Sequence, residues 1–209
     1  MAKQFKVLML NGSPHANGNT AVALKEMEKI FLAENISVET IQIGNKDIRG
    51  CMACNYCKKN GKCVFNDIVN EVAPKFAVCD ALVVGTPVYY ASANGTTISF
   101  MDRLFYSFSG DRRMKVGACV VAARRGGLSA TFDEMNKYFT YAGMPVASSQ
   151  YWNSIHGMLP GEAAGDAEGL QIMRTLARNI VFLMKSIELG KQAYGLPEKE
   201  KPIATNFIR

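Results

Sequence analysis

Residues Phe5-Lys6-Val7-Leu8-Met9-Leu10-Asn11-Gly12-Ser13-Pro14-His15-Ala16-Asn17-Gly18-Asn19-Thr20 pass from an apolar run, through a short polar loop, into a helix-like segment. Strand, small loop and helix in that order aim main-chain N–H groups and a helix N-terminus at one point, which suits a phosphate. The loop lacks the Lys-Ser/Thr ending with which a P-loop holds β/γ-phosphates and Mg²⁺. It also lacks the G-x-G-x-x-G that lets backbone approach a pyrophosphate. It offers hydroxyls on Ser13 and Thr20, amides on Asn17 and Asn19, and two permissive glycines, Gly12 and Gly18. That kit suits one terminal phosphate on a compact ligand.

Outward from this stretch, apolar runs alternate with helical patterns, as in βα repeats around a parallel sheet. Strands are expected at 5–11, 36–43, 81–85, 115–122 and 145–149. Their near-continuous apolar character suits strands covered on both faces. Helices are expected at 20–34, 67–78, 96–108, 129–141 and 167–189. In the last of these Met173, Leu176, Ala177, Ile180, Met184 and Ile187 recur at helical spacing behind an N-cap at Asp166. Pro74 should kink or shorten the second helix. Five strands alternating with five helices fit an α/β, flavodoxin-like doubly wound sheet of order 2-1-3-4-5. Ligands then bind at the carboxyl ends of the strands, near the switch point between the first and third. One domain is expected over residues 1–195, with a Cys-rich loop at 49–66 and an extended tail at 196–209 that packs on a partner subunit or stays mobile.

The 209 residues give room for a proper core, and 48% hydrophobic with 20% charged residues is ordinary for a soluble globular protein. The net charge of +6 is scattered, with short clusters such as Arg112-Arg113-Met114-Lys115. It reads as a solvated basic surface that favours anionic cofactors such as pyridine nucleotides, with no nucleic-acid partner. No apolar stretch is long enough to cross a bilayer, so no membrane association is expected. The opening Met1-Ala2-Lys3-Gln4 carries no signal-peptide pattern, which places the chain in the cytoplasm as an expectation. Structural disulfides are then rare, and four of the six cysteines within 13 positions read as a ligand set.

Three segments fall at expected strand ends. The first is Gly12 to Thr20. The second is Gly85-Thr86-Pro87-Val88-Tyr89-Tyr90-Ala91-Ser92-Ala93-Asn94-Gly95. There Pro87 should fix the turn, and Tyr89 and Tyr90 offer flat surfaces to an aromatic ring. The third is Ala123-Arg124-Arg125-Gly126-Gly127, whose glycines permit close backbone approach to a ring edge. Arg124 or Arg125 would face N1/O2 of a flavin, where negative charge develops on reduction. The plain alternatives are surface or interface tyrosines and a charged turn. A phosphate at one segment and a flat ring at the other two make FMN the leading ligand.

A fourth segment follows the second strand: Arg49-Gly50-Cys51-Met52-Ala53-Cys54-Asn55-Tyr56-Cys57-Lys58-Lys59-Asn60-Gly61-Lys62-Cys63. The spacing is C-x₂-C-x₂-C-x₅-C. Three thiols at x₂ spacing wrap one corner of a cube, and the fourth closes it. Lys58, Lys59 and Lys62 would offset a cluster's negative charge and raise its potential. Zinc usually takes its four cysteines as two separated pairs. Reduced thiols without metal are the other alternative. Cys79 and Cys119 stand in apolar surroundings and read as core residues.

Together these motifs resemble the NAD(P)H-dependent FMN reductase and iron-sulfur flavoprotein group of flavodoxin-like proteins. The resemblance covers nearly the whole chain, from Asn11-Gly12-Ser13-Pro14 through Gly85–Tyr90 and Ala123–Gly127 to Ser148-Ser149-Gln150-Tyr151-Trp152-Asn153. It implies that Ser13, Asn17, Gly18, Asn19 and Thr20 hold the FMN phosphate. Pro87, Val88, Tyr89, Tyr90 and the nearby Asn94 would border the isoalloxazine, and Ala123, Arg124, Arg125, Gly126 and Gly127 its pyrimidine edge. His15 stands where this group often has Arg, and an imidazole is a weaker phosphate partner; an exposed loop residue is the alternative. His156 either lines the substrate side or only packs. The resemblance also implies a [4Fe-4S] cluster on Cys51, Cys54, Cys57 and Cys63, and a homodimer or homotetramer in which cluster and flavin meet across subunits.

The expected activity is electron transfer from NAD(P)H, or from a reduced carrier such as ferredoxin, to a small acceptor: a quinone, a nitro compound, free flavin or similar. No Ser-His-Asp set, paired carboxylates or His-rich metal site competes with it. Two rivals stand beside it. A non-catalytic electron carrier is usually acidic, unlike this basic chain. A cysteine-based redox sensor would use the thiols as a switch.

Overall fold

The computed structural model describes residues 3–205 and 207. Five strands form a parallel sheet: β1 (Lys6–Asn11), β2 (Ser37–Gln42), β3 (Ala81–Tyr89), β5 (Val116–Ala123) and β6 (Ser154–His156). A two-residue strand, β4 (Ser92–Ala93), folds back antiparallel on β3. The order β2-β1-β3-β5-β6 is the expected doubly wound, flavodoxin-like order, with β4 off to the side. β1 pairs with β2 on one side and β3 on the other, with Asn11 opposite Gly85 at the last rung of the β1–β3 ladder.

Alternate residues of each strand feed two cores, as the pleat requires. Val7, Met9, Val83, Ala118 and Val120 face α1 (Asn19–Ala33) and α6 (Ala167–Tyr194). Leu8, Leu10, Leu82, Val84, Cys119 and Val121 face α3 (Ile68–Val78), α4 (Gly95–Ser107) and α5 (Leu128–Tyr141). Cys79 and Cys119 are buried in this second core, as expected, and burial pushes the Cys79 thiol up to about 12. Local signals set the helix starts. Asp67, Asn94 and Asp166 each accept a bond from a first-turn N–H of α3, α4 and α6. In contrast, α1 and α5 begin at Gly18 and Gly127 with no side-chain cap.

The structure corrects four expectations. The strand expected at 145–149 is reduced to a bridge between Gly117 and Val146, and the regular strand forms later, at β6. Between them the chain loops out, because Ser149 Oγ turns inward to the Tyr151 carbonyl at 2.6 Å and Asn153 Oδ1 at 2.8 Å. Pro87 does not make a turn: it lies within β3, opposite Ala122. β1 has already ended at that level, so the missing N–H costs no bond on that side. Pro74 does not shorten α3, which runs through it to Val78. A short unexpected helix, α2 (Tyr56–Asn60), sits in the cysteine loop. Residues 196–205 carry no regular structure, and positions 206, 208 and 209 of the expected tail lie outside the described residues. Among the described residues no helix is long and apolar enough to cross a membrane.

Candidate active site

A cavity of about 280 Å³ opens at the carboxyl ends of β1, β3 and β5. Its lining joins the three expected segments: Ser13, His15, Gly18, Asn19 and Thr20 from the first, Pro87, Val88 and Tyr89 from the second, Ala123 and Arg124 from the third. The loop after β1 is shaped from below. Gly12 N–H donates to the Gly85 carbonyl at 2.7 Å, and the Gly12 carbonyl accepts Asn94 Nδ2 at 2.7 Å. A Cβ at Gly12 would stand 2.1 Å from Thr97 Oγ1, so this position requires glycine. Asn11 Oδ1 accepts the Ser13 N–H at 3.1 Å, Ser13 Oγ accepts the His15 N–H at 3.2 Å, and Gln42 Nε2 donates to the Ser13 carbonyl.

Not every expected ligand faces this cavity. Asn94 is buried beneath the loop as the cap of α4 and supports it from behind. Asn17 is exposed and accepts from Lys25 Nζ at 3.4 Å. Asn19 borders the cavity, but its Oδ1 already accepts the Ala163 N–H at 3.0 Å, fixing the loop to the 3₁₀ turn Glu162–Gly165. Tyr90 is fully exposed at the tip of the β3–β4 hairpin. Arg125, Gly126 and Gly127 border a second cavity of about 320 Å³ instead, with Tyr151, Trp152 and His156. His156 is exposed and its N–H donates to Asp166 Oδ2 at 2.7 Å.

The cysteine loop lies beyond α4. Cys51, Cys54, Cys57 and Cys63 all line one small cavity of about 20 Å³, together with Phe65, Arg103 and Tyr106. Among the described residues no three His, Cys, Asp or Glu side chains converge tightly enough to hold a single metal ion. Ala53 and Asn55 carry positive φ, so the loop between the first thiols is sharply turned. Cys51 and Cys54 are exposed, whereas Cys57 and Cys63 are half-buried. Cys63 is fixed: its N–H and carbonyl both bond the Asn70 side chain, at 3.0 and 2.9 Å.

Residues 5–158 match the family model described as NADPH-dependent FMN reductase. The chain belongs to this family. It is 31% identical over 194 residues to an iron-sulfur flavoprotein of Methanocaldococcus jannaschii, covering 88% of this chain and 100% of that relative. In fold it is similar to RosB, solved with a bound 8-demethyl-8-formylriboflavin-5'-phosphate intermediate, at a TM-score of 0.70, 15% identity, and 98% and 92% coverage of the two chains. It is likewise similar to an archaeal flavodoxin, at a TM-score of 0.56, 14% identity, and 88% and 99% coverage. As a member of the FMN reductase family, the chain is an FMN-dependent oxidoreductase.

The cavity fits the cofactor of this reductase family on two observations of the structure. Among the described residues Thr20 Oγ1 is buried without a hydrogen-bond partner, which is costly unless a bound group supplies one. The N-terminus of α1 lacks a side-chain cap, so its first-turn N–H groups face the same place. A phosphate answers both. The cysteine loop has the donor chemistry of an iron-sulfur centre, four soft thiols lining one cavity with Arg103, on a segment that also carries Lys58, Lys59 and Lys62. The space these thiols enclose, about 20 Å³, is smaller than such a centre.

Several residues of this reductase site escape sequence reading. Gln42 and Thr97 brace the loop after β1 from β2 and α4. Glu134 of α5 accepts from Ser92 Oγ and from the Ala93 N–H at 2.9 Å each, clamping the hairpin. Arg103 reaches Cys63 and Asp67 from inside α4. Its one signal was its place beside Phe100, Leu104 and Ser107 on a helix face otherwise apolar or small.

Proposed function

We propose that the cavity at the strand ends binds FMN with its phosphate on Ser13, Gly18, Asn19 and Thr20, that the cysteine loop carries a [4Fe-4S] cluster, and that the protein passes electrons from NAD(P)H or a reduced carrier such as ferredoxin to a small acceptor of the quinone or flavin type. The buried, unpartnered Thr20 hydroxyl beside the uncapped start of α1 carries this reading. When bound, FMN accepts two electrons and releases them singly or in pairs, which is what a reductase coupled to a one-electron centre requires.

The chain's own residues supply orientation and electrostatics. The α1 N-terminus and the Ser13 and Thr20 hydroxyls hold the phosphate without a lysine. Pro87, Val88 and Tyr89 border the ring's side of the cavity, and Arg124 brings positive charge to it from β5. The second cavity, with Arg125, Tyr151 and Trp152, opens on the other side of that loop and leaves room for a flat acceptor or donor. The protein assembles as a homodimer or homotetramer, the commonest form for soluble oligomers.

Anaerobic mixing of the FMN-loaded protein with NADPH and with NADH tests the activity. Prompt bleaching of the flavin band with at least one nucleotide is expected. No bleaching by either, alongside full reduction by reduced ferredoxin, makes the protein a carrier-coupled oxidoreductase. Unchanged spectra with reversible thiol oxidation favour a cysteine-based sensor.

A further inference from the structure

Arg103 is the largest fully buried side chain among the described residues, with 1% of it exposed. A guanidinium in such a place must find bonds for its five N–H groups inside the protein. It does. Nη1 and Nη2 form a fork on the Asp67 carboxylate at 2.7 and 2.9 Å, and Nη1 also donates to the Arg49 carbonyl at 3.3 Å. The remaining two N–H bonds, from Nε and Nη2, both go to Cys63 Sγ at 3.3 Å. The Phe65 ring lies 4.9 Å from the guanidinium carbon.

An ion pair with Asp67 explains the fork but not the two donors on one sulfur. Cys63 is also the thiol whose backbone is fixed, through Asn70. Lys58, Lys59 and Lys62, in contrast, are exposed and screened by salt. We propose that Arg103 sets the reduction potential of the iron-sulfur centre, by holding a buried positive charge and two N–H donors against the Cys63 sulfur. This rests on the cluster reading above. Taking up one electron makes the centre one unit more negative and breaks no bond. Fixed donors and a fixed cation stabilise that state more than the oxidised one, so they raise the potential.

The test uses FMN-loaded, anaerobically reconstituted protein as wild type, Arg103→Lys and Arg103→Gln, with iron and sulfide counted per chain. The centre's midpoint is titrated by electron paramagnetic resonance, and the flavin midpoint in the same sample serves as internal control. Arg103→Lys keeps the charge and loses the fork, so it folds and loads with a smaller downward shift. Arg103→Gln is expected to shift the one-electron equilibrium about tenfold toward the oxidised centre, about 59 mV. The flavin midpoint stays in place in both. The double variant Arg103→Gln/Asp67→Asn serves if the single Gln change unfolds, because it leaves no unpaired carboxylate. Fully loaded variants with the wild-type midpoint overturn the proposal while leaving the cluster in place. So does a centre that fails to load in Arg103→Lys while FMN still binds, since Arg103 would then be an anchor of the loop. Wild-type protein without iron and sulfide overturns the cluster reading itself.

Discussion

The Thr20 hydroxyl is buried with nothing to bond among the described residues, an arrangement that costs stability in the free protein and that a bound phosphate would relieve. Thr20→Val keeps the shape and removes the oxygen. The apoprotein should melt at the wild-type temperature or slightly above, while FMN binds about tenfold more weakly, about 1.4 kcal/mol. Thermal melts of the apoprotein and a flavin-fluorescence titration check the two halves. Equal affinity for FMN would remove Thr20 from the phosphate site. At Arg103 and Asp67 the expectation runs the other way. Asp67→Ala leaves a buried guanidinium without its carboxylate, at a cost of about 3 kcal/mol in chemical unfolding. Ser13 and Thr20 stand in a strand–loop–helix motif that the sequence displays, and the fold brings both to the cavity wall. Arg103 was not legible, because one arginine in a helix normally points outward, and only the packing of α4 shows that this one points in.

The β3–β4 hairpin shows what a propensity reading misses in an element. Its two turn residues, Tyr90 and Ala91, both carry positive φ, where Asn-Gly is the usual signal. The strain is held by Glu134, whose carboxylate takes Ser92 Oγ and the Ala93 N–H. Glu134→Ala should therefore loosen the hairpin alone. Amide exchange over residues 88–93 is expected to accelerate while β1 and β5 stay protected, and stability falls by about 1–3 kcal/mol. Uniform acceleration across the sheet would contradict a local clamp. The fifth strand illustrates the same limit. The apolar 145–149 run is strand-like in sequence, but Ser149 bonds locally and breaks the ladder. The regular strand, Ser154–His156, is three residues long and too short to read.

On the scale of the molecule, α1 and α6 pack on one face of the sheet, joined by the buried Glu26, which accepts from Lys29 at 2.7 Å and Arg174 at 2.6 Å. These bonds, Lys29 first, hold the Glu26 carboxyl below its ordinary 4.5. A depressed folded pKa contributes stability above the ordinary carboxylate value and loses it as pH falls through the folded one. Glu26→Gln should then cost about 1 kcal/mol near neutral pH, and its stability should converge on wild type as pH falls below the ordinary 4.5 and through the lowered folded value. A constant gap at all pH would sink the linkage. The order of the first four parallel strands was legible, because apolar runs alternate with helices, whereas the last strand forms later than the apolar run at 145–149. The division of the strand-end loops into two cavities was not legible, since it depends on which way Arg124 and Arg125 turn. The central claim is a phosphate held by the start of α1 and its loop. Titrating the apoprotein with FMN and with riboflavin, which differs only in lacking that phosphate, tests it most directly. FMN should bind about a hundredfold more tightly, about 2.7 kcal/mol; equal affinities for the two would contradict the account.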